Sequence, residues 1–283
     1  MVIFKIGIGV NMHITITGNL GSGKSTVCKI LRDQHGFEIY STGTVQRELA
    51  REMNMSTLEM NQLMCSDPKY DNMIDDATAR ISRENRHKDI IFDSRLAWHF
   101  VEQSFKVFLS VSLDVAAKRV MNDNRGKEEK YTSLEEAKKL LAARAETEDK
   151  RYKELYNLDY FNFSNYNLVI DSTCTTPDNI ASVILEEAKK FDETMKERDI
   201  FEPGNQGINK ILLSPQSLYP GEISKEDRER ASELIKERQE HRENVRKDIL
   251  VKKVKNELNI VEGKDEVIAA IIAEEPFVPI ILK

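Results

Sequence analysis

The chain has 283 residues, 40% of them hydrophobic and 32% charged, with a formal net charge of −6. That length can bury a full core, and a pI of about 5.6 excludes a global field that would draw in nucleic acid or an anionic membrane. The three cysteines, Cys28, Cys65 and Cys174, are scattered without metal-ligand spacing, which points to reduced thiols in a cytoplasmic protein and not to a disulfide framework.

The opening MVIFKIGIGVNM is apolar but short and lacks a small-residue cleavage site. It reads either as an extra edge strand or as sequence ahead of a start at Met12, and no later run reaches membrane-spanning length. From Met12 onward, strand-type and helix-type patterns alternate. HITIT (13–17) is β-branched, and a helical segment then runs to about Gly36. A second strand (37–41) and a second helix follow, with two further helical segments near 57–65 and 71–86. KDIIFDS (88–94) and KVFLSVS (106–112) are apolar nearly throughout, as strands buried on both faces are. Two helices, the strand NLVID (167–171) and a closing helix (177–191) complete the series. About five strands, each followed by a helix, predict a doubly wound parallel α/β sheet with phosphates bound beyond the strands' C-terminal ends.

The composition changes after Lys190. Residues 192–207 are charged and then contain Pro and Gly, which reads as a linker between a first domain at 1–191 and a small α+β second domain at 208–283. The second domain is expected to hold a strand (208–213), a turn, a charged helix (225–247), and then strand, helix and strand.

The strongest chemical signal is GNLGSGKST. Gly18, Gly23, Lys24 and Ser25 satisfy G-x-x-x-x-G-K-[ST] directly after a strand and at the opening of a helix. Glycines let backbone N–H groups turn inward around phosphates, and the helix N-terminus adds partial positive charge. The stretch Gly18, Asn19, Gly21, Ser22, Gly23, Lys24, Ser25 and Thr26 is therefore a P-loop for a nucleoside triphosphate, with Lys24 reaching the β- and γ-phosphates and Ser25 ligating Mg²⁺. A GTPase would need N/T-K-x-D, which is absent. A motor ATPase would need an apolar run ending Asp-Glu, where this chain has Asp93-Ser94-Arg95. A small-molecule kinase instead needs a second anion site facing the first and arginines along the path of the phosphoryl group.

The residues supply that order. Ser41-Thr42-Gly43 ends the second strand with Arg47 one turn beyond, Asp93 and Arg95 end the third, and Arg119, Arg125, Arg144 and Arg151 follow on helices. With S-T-G, R-E-L-A, the D-P-K-Y-D segment (Asp67 to Asp71), D-S-R-L-A, R-A-E-T-E-D-K-R running into Y-K-E-L-Y, and L-V-I-D-S, the chain from about Met12 to Phe191 resembles the nucleoside monophosphate kinases, and among them the archaeal-type cytidylate kinases. The resemblance implies phosphoryl transfer from ATP to CMP or dCMP, a small-molecule partner and no nucleic acid or membrane. It implies Arg47 and Arg95 on the acceptor phosphate, Ser41 and Asp171 near its sugar or base, and Arg119, Arg125, Arg144 and Arg151 as catalytic charges in the lid or its hinges. Asp93 would be a magnesium residue, although relatives often have Glu-Gly where this chain has Asp93-Ser94.

Asp67, Asp71 and Asp75, spaced by four on or before a helix, line up on one face, where they either read a cytosine amino group or form a solvated acidic face. Another acceptor (a different nucleotide, shikimate or dephospho-CoA) and a non-catalytic nucleotide sensor stay open as alternatives. The methionines between 53 and 73 read as core filling, His99 as a structural histidine, and the mixed-sign run 225–247 as a solvated helix. Residues 208–283 resemble the ParB-like fold in INKILLSPQSLYPGE and NIVEGKDEVIAAIIAEEPFVPIIL, with Glu266 where that fold carries an arginine. A degenerate module for packing, regulation, homo-oligomer formation or a protein partner is the expectation there.

Overall fold

The protein is described by a computed structural model covering residues 11–43, 53–55, 60, 63, 69–122, 131–198, 210–241, 246–254 and 257–283. Arg47, Arg125, Cys65 and Asp67 lie outside these residues, as do the expected helices around 44–54 and 57–65 apart from a few positions.

The first five strands pair in parallel within one sheet: β1 (His13–Gly18), β2 (Glu38–Ser41), β3 (Ile90–Asp93), β4 (Phe105–Ser110) and β5 (Leu168–Asp171). Their order is β2-β3-β1-β4-β5, all parallel. Every residue of β1 and β5 is buried, whereas the edge strand β2 is partly exposed. The helices between them are α1 (Lys24–His35), α2 (Lys69–Glu84), α3 (Ala97–Phe100), α4 (Leu113–Asn122), α5 (Leu134–Tyr156) and α6 (Pro177–Arg198). On one face, Ile14, Ile16, Leu109 and Ile170 pack with Leu31 of α1 and Ile184 of α6.

The sequence places α5 by its cap. Ser133 accepts at Oγ from the Glu136 N–H at 3.2 Å, and the Glu136 carboxylate reaches back to the Thr132 N–H at 2.6 Å. This reciprocal satisfaction of helix-end donors fixes the start of the helix that carries Arg144 and Arg151.

Two features differ from expectation. The closing helix α6 runs to Arg198, so 192–198, expected as linker, is helical. The C-terminal strands do not make a sheet of their own. β6 (Lys210–Leu213) pairs parallel with β5, β9 (Val278–Leu282) pairs antiparallel with β6, and β7 (Leu250–Val254) and β8 (Glu257–Glu262) continue outward to give nine strands among the described residues. Between them lie α7 (Pro215–Leu218), α8 (Lys225–His241) and α9 (Lys264–Ile272). The second apolar cluster is shared. Phe108, Tyr160, Tyr166 and Val169 pack with Ile211, Val251, Val267, Val278 and Ile280. Glu266 is buried on α9, paired with Arg238 of α8 and accepting the Lys247 N–H at 3.3 Å. Its charge is spent within the packing of the two helices.

Candidate functional site

The C-terminal ends of β2 and β3 stand level with Ile16 of β1, since Ile16 is in register with Asp93 and Asp93 with Ser41. Asp171 at the end of β5 stands level with Ser110 of β4, just past the Leu109 that pairs with Gly18. Just beyond most of these ends lies a cleft of about 1440 Å³. Its first wall is the loop between β1 and α1. Gly18 has φ +146°, and a methyl there would stand 2.1 Å from the Leu109 carbonyl oxygen, so only glycine lets the loop lie against β4. Gly23 has φ +87° and would present a side chain to open space, which leaves the N-terminus of α1 bare toward the cleft. Ser25 and Thr26 follow on the first turn, exposed to the cleft.

Lys24 and Arg95 converge on one oxygen. Lys24 Nζ donates to the carbonyls of Gly18 at 3.1 Å and Asn19 at 3.0 Å, and Arg95 Nη1 donates to Gly18 O at 2.7 Å. The turn carrying Arg95 is held against β1 by Thr17, whose Oγ1 donates to the Ser94 carbonyl at 3.0 Å. Burial, and after it the Arg95 charge, pushes the Lys24 amine down to about 7, against the opposing pull of Asp93 and Glu148. Burial also opposes the charge on Arg95, but the Glu148 carboxylate at 2.9 Å holds the guanidinium above its ordinary range. Glu148 is itself desolvated and still kept below the usual carboxylate range by Arg95 and Arg144. Arg144 Nε donates to it at 3.1 Å.

The positions 144, 147, 148, 151 and 152 of α5 share one helical face, and all line the cleft. Opposite stands α2, with Asp71 and Asp75 one turn apart and both lining the same space. Asp71 is 7% exposed, and its Oδ1 lies 3.7 Å from Arg151 Nη2. Its Oδ2 is buried without a hydrogen-bond partner. Burial raises its pKa, with Arg151 opposing. Asp75 accepts from the Tyr156 hydroxyl at 2.7 Å, yet burial lifts it to about 6, helped by Asp71 and Asp76.

Of the residues singled out from the sequence, Gly21, Ser22, Gly23, Lys24, Ser25, Thr26, Ser41, Asp71, Asp93, Arg95, Arg119, Arg144 and Arg151 line this one cleft, with Gly18 and Asn19 reached through the Lys24 bonds. Arg47 and Arg125 fall outside the described residues. Asp171 is not brought to the cleft: it is 4% exposed and its oxygens accept from Thr173 and from the Ser214 N–H. Glu148 and Tyr156 were missed as site residues. Glu148 had a signal in the i,i+4 spacing from Arg144 within R-A-E-T-E, a spacing that pairs charges on a helix.

Ser25 offers a hydroxyl and Asp93 a carboxylate to the same cleft. Those are the few oxygen donors a protein supplies to magnesium when nucleotide phosphates provide the rest.

A glycine-cradled helix N-terminus facing a wall of arginines, at the C-terminal edge of a parallel sheet, defines a P-loop phosphotransferase fold. The chain matches the cytidylate kinase-like family over residues 13–174 and belongs to that family. It is 32% identical over 174 residues to a cytidylate kinase of Methanobrevibacter smithii, covering 62% of this chain and 96% of that one. A cytidylate kinase of Methanothrix thermoacetophila is 37% identical over 161 residues, covering 57% and 88%. An S-adenosylmethionine-dependent nucleotide dehydratase of Lacinutrix mariniflava is 34% identical over 185 residues, covering 65% of this chain and 37% of that longer protein. The chain therefore spans little more than a third of the dehydratase.

Proposed function

We propose that this chain is a cytidylate kinase that moves the γ-phosphoryl of ATP to CMP or dCMP. The observation that carries the reading is the meeting of Lys24 and Arg95 at the Gly18 carbonyl, which sets a donor-side cation and an acceptor-side cation against each other in one cleft. Transfer between two nucleotides needs no covalent intermediate. The protein must align the acceptor oxygen with the γ-phosphorus and neutralise charge along the path. The loop amides and Lys24 hold the β- and γ-phosphates, and Arg95 grips the acceptor phosphate with Ser41 near the sugar. Arg119 stands on the donor side against the Gly21 carbonyl, and Arg144 and Arg151 face the space between. Magnesium held by Ser25 and Asp93 would add charge neutralisation on the donor's phosphate oxygens.

The acceptor base belongs beside α2. An ionised Asp71 with a buried, unpartnered oxygen suits an amino-group donor, as cytosine has, and repels the carbonyl that uracil carries there. A cytoplasmic setting fits these substrates. Among the described residues no helix is long and apolar enough to cross a membrane.

The test is ADP release measured with magnesium and ATP across CMP, dCMP, UMP, AMP, GMP, dephospho-CoA and shikimate. CMP or dCMP is expected to give the fastest turnover, with UMP slower by about 10-fold or more, the scale that one unmatched polar contact supports. No stimulation by either cytidylate rejects the reading.

A further inference from the structure

Asp171 closes β5, and the chain beside it comes from the far end of the sequence. Leu168, Val169 and Ile170 are in register with Lys210, Ile211 and Leu212. Continuing that register brings Ser214, which is fully buried, against the Asp171 carboxylate, and its N–H donates to Oδ2 at 3.4 Å. The other oxygen, Oδ1, accepts from the Thr173 N–H at 2.9 Å and from its hydroxyl at 2.5 Å.

Thr173 Oγ1 in turn accepts the Ser112 N–H at 3.0 Å, and the Ser112 carbonyl receives the Ala116 N–H at the start of α4. On the last turn of α4 stands Arg119. Its Nη2 donates to the Ser172 carbonyl at 2.6 Å, and its Nη1 donates to Ser172 Oγ at 3.0 Å and to the Gly21 carbonyl of the phosphate loop at 3.4 Å. Ser172 is 1% exposed, so it has one place to be. The three residues after Ile170 are thus pinned on one side by β6 and on the other by α4 and its arginine.

We propose that Asp171 is a positioning residue that couples the C-terminal strands to Arg119 and, through Arg119, to the ATP-binding loop. The appended segment then serves catalysis directly. It fixes the turn on which the donor-side guanidinium is braced, so its removal or displacement would be felt at ATP and not at the acceptor. The carboxylate has a second effect on the same group. Burial lowers the Arg119 pKa, and the Asp171 charge opposes that. This inference rests on the assignment of 18–26 as the ATP cradle, but not on the identity of the acceptor.

The experiment is calorimetric binding of adenylyl imidodiphosphate with Mg²⁺, and separately of CMP, to the full chain and its variants. Asp171→Asn is expected to weaken the ATP analogue about 10-fold and to change CMP affinity less than about twofold. Arg119→Ala should weaken the analogue at least as much, and the double variant should be no more than about twofold weaker than Arg119→Ala, because residues acting through one another are not additive. Ser214→Pro tests the link from the other side. The residue has φ −66° and ψ 128°, which proline accepts, so the substitution removes the N–H together with the hydroxyl that donates to Gln216 Oε1 at 2.9 Å, and Ser214→Ala removes the hydroxyl alone. Ser214→Pro should weaken the analogue more than Ser214→Ala, which keeps that N–H, and it reads the relay even where Asp171→Asn folds poorly. Penalties that multiply in the double variant overturn the proposal, as does an Asp171→Asn effect on CMP in place of the analogue. Unmutated protein that binds the analogue but never phosphorylates CMP refutes the cytidylate kinase reading alone and leaves the relay measurable.

Discussion

Asp75 shows how a single side chain can serve the site at a cost to the fold. Its ordinary pKa is 3.8 and burial raises it to about 6, so between those values the folded protein holds a proton that the unfolded chain releases. Stability therefore falls as pH rises through that window, and the full penalty stands above pH 6. Asp75→Asn keeps an oxygen for the Tyr156 hydroxyl and removes the charge. It should stabilise the protein by about 1–2 kcal/mol at pH 7.5, after allowance for partial solvation, and by only a small fraction of that at pH 4. Thermal melts at the two pH values check this, and a gain that persists at pH 4 assigns the effect to packing instead. Asp75 was readable as a member of an i,i+4 acidic face. That it stands buried against Tyr156 was not, because the partner is 81 residues away on α5.

At the scale of elements, α5 is a rigid carrier of charge. Its cap, Ser133 with Glu136, emerges from the structure, whereas its arginines were visible as a motif. The contact that organises them, Arg95 to Glu148, joins a strand end to a helix across 53 residues and leaves only the local Arg144 spacing as a trace. The pair is mostly buried, at 17% and 16% side-chain exposure, and removing one partner of such a pair leaves an uncompensated charge. Glu148→Gln should cost about 2–4 kcal/mol in chemical denaturation and lower kcat as Arg95 and Arg144 lose their common anchor. A denaturation midpoint unchanged by this substitution would show that Arg95 is held by Gly18 alone. Strand legibility followed burial. β3, β4 and β5 are nearly continuous apolar runs because helices cover both faces, and β1 showed as a β-branched run. β7 was missed because the lysines of LVKKV break the apolar signal, although Val251 within it is fully buried.

The whole molecule is knitted by one cluster that draws Phe108, Tyr166 and Val169 from the kinase-like part and Ile211, Val251 and Val278 from the C-terminal strands. Sequence composition suggested a hinge between two units, since charge followed by Pro and Gly marks linkers. Strand adjacency between Leu168 and Lys210, 42 positions apart, leaves no such mark, so the arrival of β6 beside β5 was hidden. A shared core predicts shared melting. Ile211→Ala should cost about 2–5 kcal/mol and lower a single calorimetric transition for the entire chain. Two transitions, with only one displaced, would show that the parts unfold separately.

The pairing of β6 on β5 also decides what can be cut away. Leu168 to Asp171 are all buried, and their outward-facing amides and carbonyls are satisfied by the chain that begins at Lys210. A piece trimmed to the length of the shorter relatives would bare that rim, four hydrophobic-flanked residues ready to zip onto a neighbour. The tail is thus a selvedge, and unpicking it would turn a discrete catalyst into a sticky one.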